Sequence, residues 1–367
     1  MRQFRVSKIM ILLTAASSLC TNSCSNFKLS SQAICCTGLE VYRQDRLTAD
    51  RHSQGQNETV ESALIGLRTR FDNKAIVLEL EVSPERWDVF NSTDGGDTWH
   101  HDEQYRRIYE SWLPGASGHQ ETIDWLPHPA SEMVRYRTIK LAPGEFSDER
   151  SADGGKTWTL MNFNLLGCQA RLRISELNYY YHPRDPMKIY IVATLPWRKG
   201  GSGMFVSSDG GDNFAFMCEC YGTKPILAIS PSNPQVMYAS AVMGNIAKSI
   251  DGGRIWKPVG QADLMEKVFC RDTAGIEMQI SDIEINPANP NTTYLVANKR
   301  ILRTQDGGET WCLLDTDAIG SIGNVAVPPT TPNLLLAGAS KGLFRSADAG
   351  CHWERIDVKS RIVSQKR

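Results

Sequence analysis

The chain has 367 residues, 41% hydrophobic and 22% charged, with 29 Gly and 17 Pro, which is enough for one large core or two ordinary ones and excludes wholesale disorder. Forty Lys and Arg against 41 Asp and Glu leave a formal charge of -1, which argues against a general nucleic-acid binder and against a charged-tail protein. The one sustained apolar stretch, Ile9 to Leu19, is about half of what a membrane-spanning helix needs.

Taken from the start, Arg2, Arg5 and Lys8 form a positive leader, Ile9 to Thr14 a short apolar core, and Ala15-Ala16-Ser17-Ser18 the small residues that a signal peptidase accepts. Residues 1–19 therefore read as an export signal, and the protein is expected outside the cytoplasm. A lipid anchor is not favoured: Leu19 precedes Cys20, and Ser23-Cys24 lacks the usual Leu three residues earlier. Residues 20–64, polar around Gln54-Gly-Gln-Asn-Glu58, read as a linker.

From Asp94 onward the chain repeats itself. Six boxes are Ser92-Thr-Asp94-Gly-Gly-Asp-Thr-Trp99, Ser151-Ala-Asp153-Gly-Gly-Lys-Thr-Trp158, Ser207-Ser-Asp209-Gly-Gly-Asp-Asn-Phe214, Ser249-Ile-Asp251-Gly-Gly-Arg-Ile-Trp256, Thr304-Gln-Asp306-Gly-Gly-Glu-Thr-Trp311 and Ser346-Ala-Asp348-Ala-Gly-Cys-His-Trp353. Their Asp residues lie 59, 56, 42, 55 and 42 apart, the length of a four-stranded antiparallel unit with variable loops. A Pro element precedes five of them: Asp124-Trp-Leu-Pro-His-Pro129, Asn178-Tyr-Tyr-Tyr-His-Pro183, Ile226-Leu-Ala-Ile-Ser-Pro231, Asp282-Ile-Glu-Ile-Asn-Pro287 and Asn324-Val-Ala-Val-Pro-Pro329. Each unit reads as strand, Pro turn, strand, short loop, strand, box hairpin, strand. The first unit lacks the Pro pair, but Ile65 to Phe71, Ala75 to Val82 and Trp87 to Asn91 supply its three strands. The expectation is an all-β chain forming a single propeller of six blades over residues 65–358, with a tail at 359–367. A seventh blade would have to come from Thr37 to Ser62.

The boxes resemble the Asp-box or BNR repeat, Ser-x-Asp-x-Gly-x-Thr-Trp, over roughly residues 65 to 358. That resemblance implies a propeller of the sialidase-like kind, as in bacterial sialidases, xyloglucan-hydrolysing enzymes, sortilin-type receptors and photosystem II assembly factors. Physically the box is a hairpin staple, in which the carboxylate accepts turn N–H groups, Gly permits positive φ, and the ring packs on its own blade. Asp94, Asp153, Asp209, Asp251, Asp306 and Asp348 are accordingly structural, since six equivalent copies do not converge on one site.

A functional site is expected on the face opposite the boxes, where the long loops emerge and the inner strands begin. Asp124, Asn178, Asp282 and Asn324 sit five residues before the first Pro of their units, with Glu284 two residues beyond Asp282; they either cap turns or ring the channel mouth. Tyr105, Arg106, Trp112, Trp197, Arg198 and Arg271 lie on the loops, an interleaving of aromatic and Arg side chains that suits sugar stacking or a protein hot spot. The resemblance implies that a sialidase would carry an Arg triad and an Arg-Ile-Pro motif, but the first unit has Leu67-Arg68-Thr69-Arg70 and no triad is visible. Inverting glycoside hydrolysis would need two carboxylates with room for water between them, for which Asp124, Asp282 and Glu284 are the candidates. The leading expectation is a non-catalytic module that binds a protein or a glycan, with a glycoside hydrolase as the alternative.

Ten cysteines in an exported chain suggest disulfides. The blade order points to Cys168 pairing with Cys218 or Cys220, with Cys270 taking the remaining partner or staying free. Neither Cys218-Glu-Cys220 nor Cys35-Cys36 has zinc-site spacing, and the seven His are scattered; no metal or cofactor is expected.

Overall fold

The computed structural model describes residues 63–363 except 70–74, 84–85, 104–121, 125–127, 129, 143–144, 162–163, 166–167, 170–177, 195–200, 222–224, 242–244, 261–263 and 265–278. It is a six-bladed propeller of antiparallel blades. Blade 1 comprises β1 (Ala63–Thr69), β2 (Ile76–Ser83), β3 (Arg86–Ser92) and β4 (His100–His101). Blade 2 comprises β5 (Thr122–Asp124), β6 (Arg135–Ala142), β7 (Glu145–Ser151) and β8 (Thr159–Leu160), after which a small hairpin, β9 (Asn164–Leu165) and β10 (Cys168–Gln169), joins the next sheet. Blade 3 has β11 (Asn178–Tyr181), β12 (Ile189–Thr194), β13 (Gly201–Ser207) and β14 (Asn213–Tyr221). Blade 4 has β15 (Leu227–Ile229), β16 (Met237–Ala241), β17 (Asn245–Ser249) and β18 (Lys257–Pro258). Blade 5 has β19 (Ile280–Ile285), β20 (Thr293–Ala297), β21 (Arg300–Thr304) and β22 (Cys312–Leu313). Blade 6 has β23 (Ile322–Ala326), β24 (Leu335–Ala339), β25 (Gly342–Ser346) and β26 (Glu354–Ile356), followed by a short helix, α1 (Val358–Arg361).

The core lies between blades. Second strands such as β20 and β24 are buried at every residue because a neighbouring blade covers each face, and this is why they read as continuous apolar runs rather than alternating ones. Tyr238, Leu295, Leu302 and Trp311 fill the layer between blades 4 and 5, and Tyr294, Val296, Leu335 and Phe344 the layer between blades 5 and 6. Leu67, Leu78, Trp99, Leu336 and Val358 join blade 6 to blade 1. The inner strands β15, β19, β23 and β1 follow one another around the axis, and the β23–β1 contact closes the ring.

Each box folds the same way. The Ser or Thr Oγ donates to Asp Oδ1 at 2.7–2.8 Å and accepts the N–H of the second Gly at 2.7–2.9 Å. The Asp in turn accepts the N–H four residues on, from Thr98, Thr157, Asn213, Ile255, Thr310 and His352. Both box glycines have positive φ, and in the sixth box Ala349 takes that conformation at φ 59. Trp99 and Trp311 are fully buried, and Phe214 fills the corresponding place in blade 3.

The Pro elements are a second staple. His128 Nδ1 accepts the Ala130 N–H at 3.1 Å, His182 Nδ1 those of Arg184 and Asp185, Ser230 Oγ that of Asn233, and Asn286 Oδ1 those of Ala288 and Asn289. In these four elements the residue before the Pro thus caps its own turn. The first box Gly then donates to the Pro turn of its own blade, Gly154 to Met133 O, Gly210 to Met187 O, Gly252 to Gln235 O and Gly307 to Asn291 O. Boxes and Pro turns therefore share one face of the ring, and the blade-to-blade connections emerge on the other.

The expected Cys168 disulfide does not form, because Cys218 and Cys220 are both free. The register explains it: Cys168 pairs with Leu165, which lies beside Phe214 at the box end of β14. Cys218 and Cys220 are four and six residues further along, roughly 13 and 20 Å away, beyond the ~7 Å that a disulfide spans. Cys312 and Cys351 are free and exposed, and Cys270 lies outside the described residues.

Candidate functional site

The inner strands carry the polar residues that the sequence singled out. A strand at the centre of a propeller has no hydrogen-bonded neighbour on its inner edge, so its N–H groups need partners from elsewhere. For β23 of blade 6 those partners are side chains of blade 5. Asp282, third in β19, accepts the Val325 N–H of β23 through Oδ2 at 2.9 Å and the Ile283 N–H through Oδ1 at 2.9 Å. Glu284, on the same strand face two residues later, accepts the Val327 N–H at 3.1 Å, and Ser281 Oγ donates to Gly323 O. Between blades 3 and 4, Tyr180 of β11 takes a backbone hydrogen bond from Leu227 of β15.

Burial sets the electrostatics of these groups. It pushes Asp282 up to about 6, against the pull of its two backbone N–H bonds. Burial also raises Tyr180 to about 12, with smaller contributions from Cys220 and Asp282. On the opposite face the box carboxylates are held below the usual carboxylate range, Asp306 chiefly by Thr310 and Asp153 chiefly by Thr157.

Asn324 lies on β23, immediately before the residue that Asp282 grips. Asp124 ends β5 opposite Arg137 of β6, and by blade order β5 and β19 stand across the ring from one another. Asn178 opens β11 opposite Val192. Beneath them Arg137 pairs with Glu149 at 2.5 Å and stacks on Trp158. Tyr105, Arg106, Trp112, Trp197, Arg198 and Arg271 lie outside the described residues. Among the described residues no three His, Cys, Asp or Glu side chains gather as a metal cage, and no helix is long and apolar enough to cross a membrane.

A further set of polar residues went unread in the sequence. The residue just before the box is basic in four blades, and each reaches the box hairpin of the next. Arg150 bonds Asp209 O, Lys248 bonds Gly307 O at 2.9 Å, Arg303 bonds Ala349 O at 2.9 Å, and Arg345 bonds Asp97 Oδ1 at 2.5 Å, returning to blade 1. A basic residue at a fixed offset from a repeat was the available signal.

No family model and no curated protein matches the chain. Solved structures do. A GH74 enzyme from Niastella koreensis is similar at 15% identity and a TM-score of 0.44, over 79% of this chain and 46% of that one. An ancestral GH74 enzyme is similar at 15% identity and 0.46, over 80% and 38%. The chain thus spans less than half the length of these two enzymes. YCF48 from Cyanidioschyzon merolae is similar at 15% identity and 0.39, over 81% of this chain and 85% of that one, and a structure of YCF48 bound to D1 peptide at 16% and 0.39, over 80% of each. At such identities and TM-scores the likeness adds nothing beyond the fold, which this chain's own six sheets already show.

Proposed function

We propose that the chain is an exported Asp-box propeller that binds a protein or glycan through the face opposite its boxes, without catalysing a reaction. The carrying observation is that Asp282 and Glu284, the two inner-strand carboxylates nearest to glycosidase chemistry, each accept a backbone N–H of the adjacent blade. A carboxylate that ties two strands together is held away from a sugar and is needed where it stands. Tyr105, Arg106, Trp112, Trp197, Arg198 and Arg271, which the sequence assigns to connections between strands, are the contact residues in this reading.

The observation that favours glycoside hydrolysis as the second reading is the raised Asp282, a carboxyl that burial pushes up towards the range of a general acid. Purified protein assayed on sialosides, xyloglucan and other β-glucans decides between them. Binding by calorimetry with no sugar released is the expected result. Sugar release that disappears in Asp282→Asn at an unchanged melting temperature would establish the enzyme instead.

A further inference from the structure

Five sulfur-bearing side chains meet in the layer between blades 3 and 4. Met204, Cys220 and Met237 are buried there, with Met217 and Cys218 packed against them. β14 carries an irregularity between Phe216 and Cys218, and an extra residue in a strand turns its neighbours out of strict alternation, so Met217 and Cys218 both face this layer. Cys218 stands directly opposite Met204 of β13, and Cys220 opposite Ser202. The two thiols are hydrogen-bonded to each other. Ser202 is fully buried, and its hydroxyl has no hydrogen-bond partner. An orphaned buried hydroxyl costs about 1 to 3 kcal/mol, and Ser202 is the cross-strand neighbour of Cys220.

Two thiols and a thioether on adjacent strands are too few for a structural zinc ion, which takes four ligands. They are the soft donors that select monovalent copper. We propose that Cys218, Cys220 and Met204 form a copper(I) site, with the Ser202 hydroxyl donating to Cys220 Sγ. Binding replaces the thiol protons, which leave to solvent, and changes no oxidation state. Buried Cys220 supplies the inner ligand, and partly exposed Cys218 is the point of entry. This site is distinct from the inner-strand carboxylates and stands whether or not the protein binds a glycan.

The test uses the intact protein without oxygen, titrated with copper(I) to saturation against a chromogenic copper(I) chelator, with alkylation by iodoacetamide read cysteine by cysteine. Cys218 should react in metal-free protein and be protected at least tenfold by copper(I), while exposed Cys312 and Cys351 stay reactive. Because protons are displaced, affinity should rise with pH. Met204→Leu preserves core volume and should weaken protection about tenfold with no change in melting temperature. Equal alkylation of Cys218 with and without copper(I) at saturation overturns the proposal, and full affinity in Met204→Leu removes the thioether from the ligand set.

Discussion

Within a box, the Asp and the Ser or Thr differ in what they hold. Thr304 Oγ1 serves the buried Gly308 N–H, whereas Asp306 serves the exposed Thr310. Replacing Thr304 with Val strands a donor away from water, at a cost of about 1 to 3 kcal/mol, while Asp306→Ala leaves groups that water reaches and should cost less. Urea denaturation of the two variants should rank them in that order, and the reverse ranking would mean that the carboxylate is the main staple. Box chemistry also explains a flaw. Ala349 adopts φ 59 where the other boxes have Gly, a conformation that costs a non-Gly residue roughly 1 to 2 kcal/mol. Ala349→Gly recovers that, less the ~0.4 to 1 kcal/mol of extra chain entropy, so its melting temperature should rise slightly.

At the scale of elements, two titrating groups, His128 buried and Asp282 partly buried, hold neighbouring segments and oppose one another. His128 caps its Pro turn through a neutral Nδ1, and burial lowers its pKa from 6.5 to about 4. A folded value below the unfolded one means that its contribution is full above 6.5 and is lost as pH falls towards 4. Asp282 is raised from 3.8 to about 6, so its contribution is full below 3.8 and is lost as pH rises through 6. Each is worth up to about 3 kcal/mol at 1.36 kcal/mol per unit, and between pH 4 and 6 they largely cancel. Denaturation across that range should therefore show that Asp282→Asn becomes less stable on acidification and that His128→Asn becomes more stable. Asn is a fitting replacement at 128 because Asn286 caps the equivalent turn. Parallel profiles for wild type and both variants would contradict this account.

At the scale of the whole molecule, the ring closes without a strand borrowed from the other end of the chain, since blade 6 is built entirely from β23 to β26. The seam is held from the C-terminal side: Trp99 N donates to Arg361 O, Val363 N to Trp99 O, and Asp97 receives both Arg345 and Arg361. Ending the chain after Asp357 removes two of those backbone bonds and uncovers Trp99, so it should lower the melting temperature far more than Arg345→Gln does, because the ion pair is partly exposed and such pairs contribute about 1 kcal/mol or less. A truncated protein with the wild-type melting temperature would show that packing of blade 6 on blade 1 suffices. By itself the sequence determined six repeat units, the hairpin at each box and the strands of the first unit to within about two residues, because hairpins and hydrophobic runs are local and were written six times; that the ring closes at six was decided by the contact of β1 with β23. What Asp282, Glu284, Arg150 and Cys168 would touch was decided only by tertiary structure. Their partners lie 43 to 59 residues away in the next blade, or are set by the parallel pairing of β9 with β14, and neither spacing nor residue type carries the register of one sheet against another.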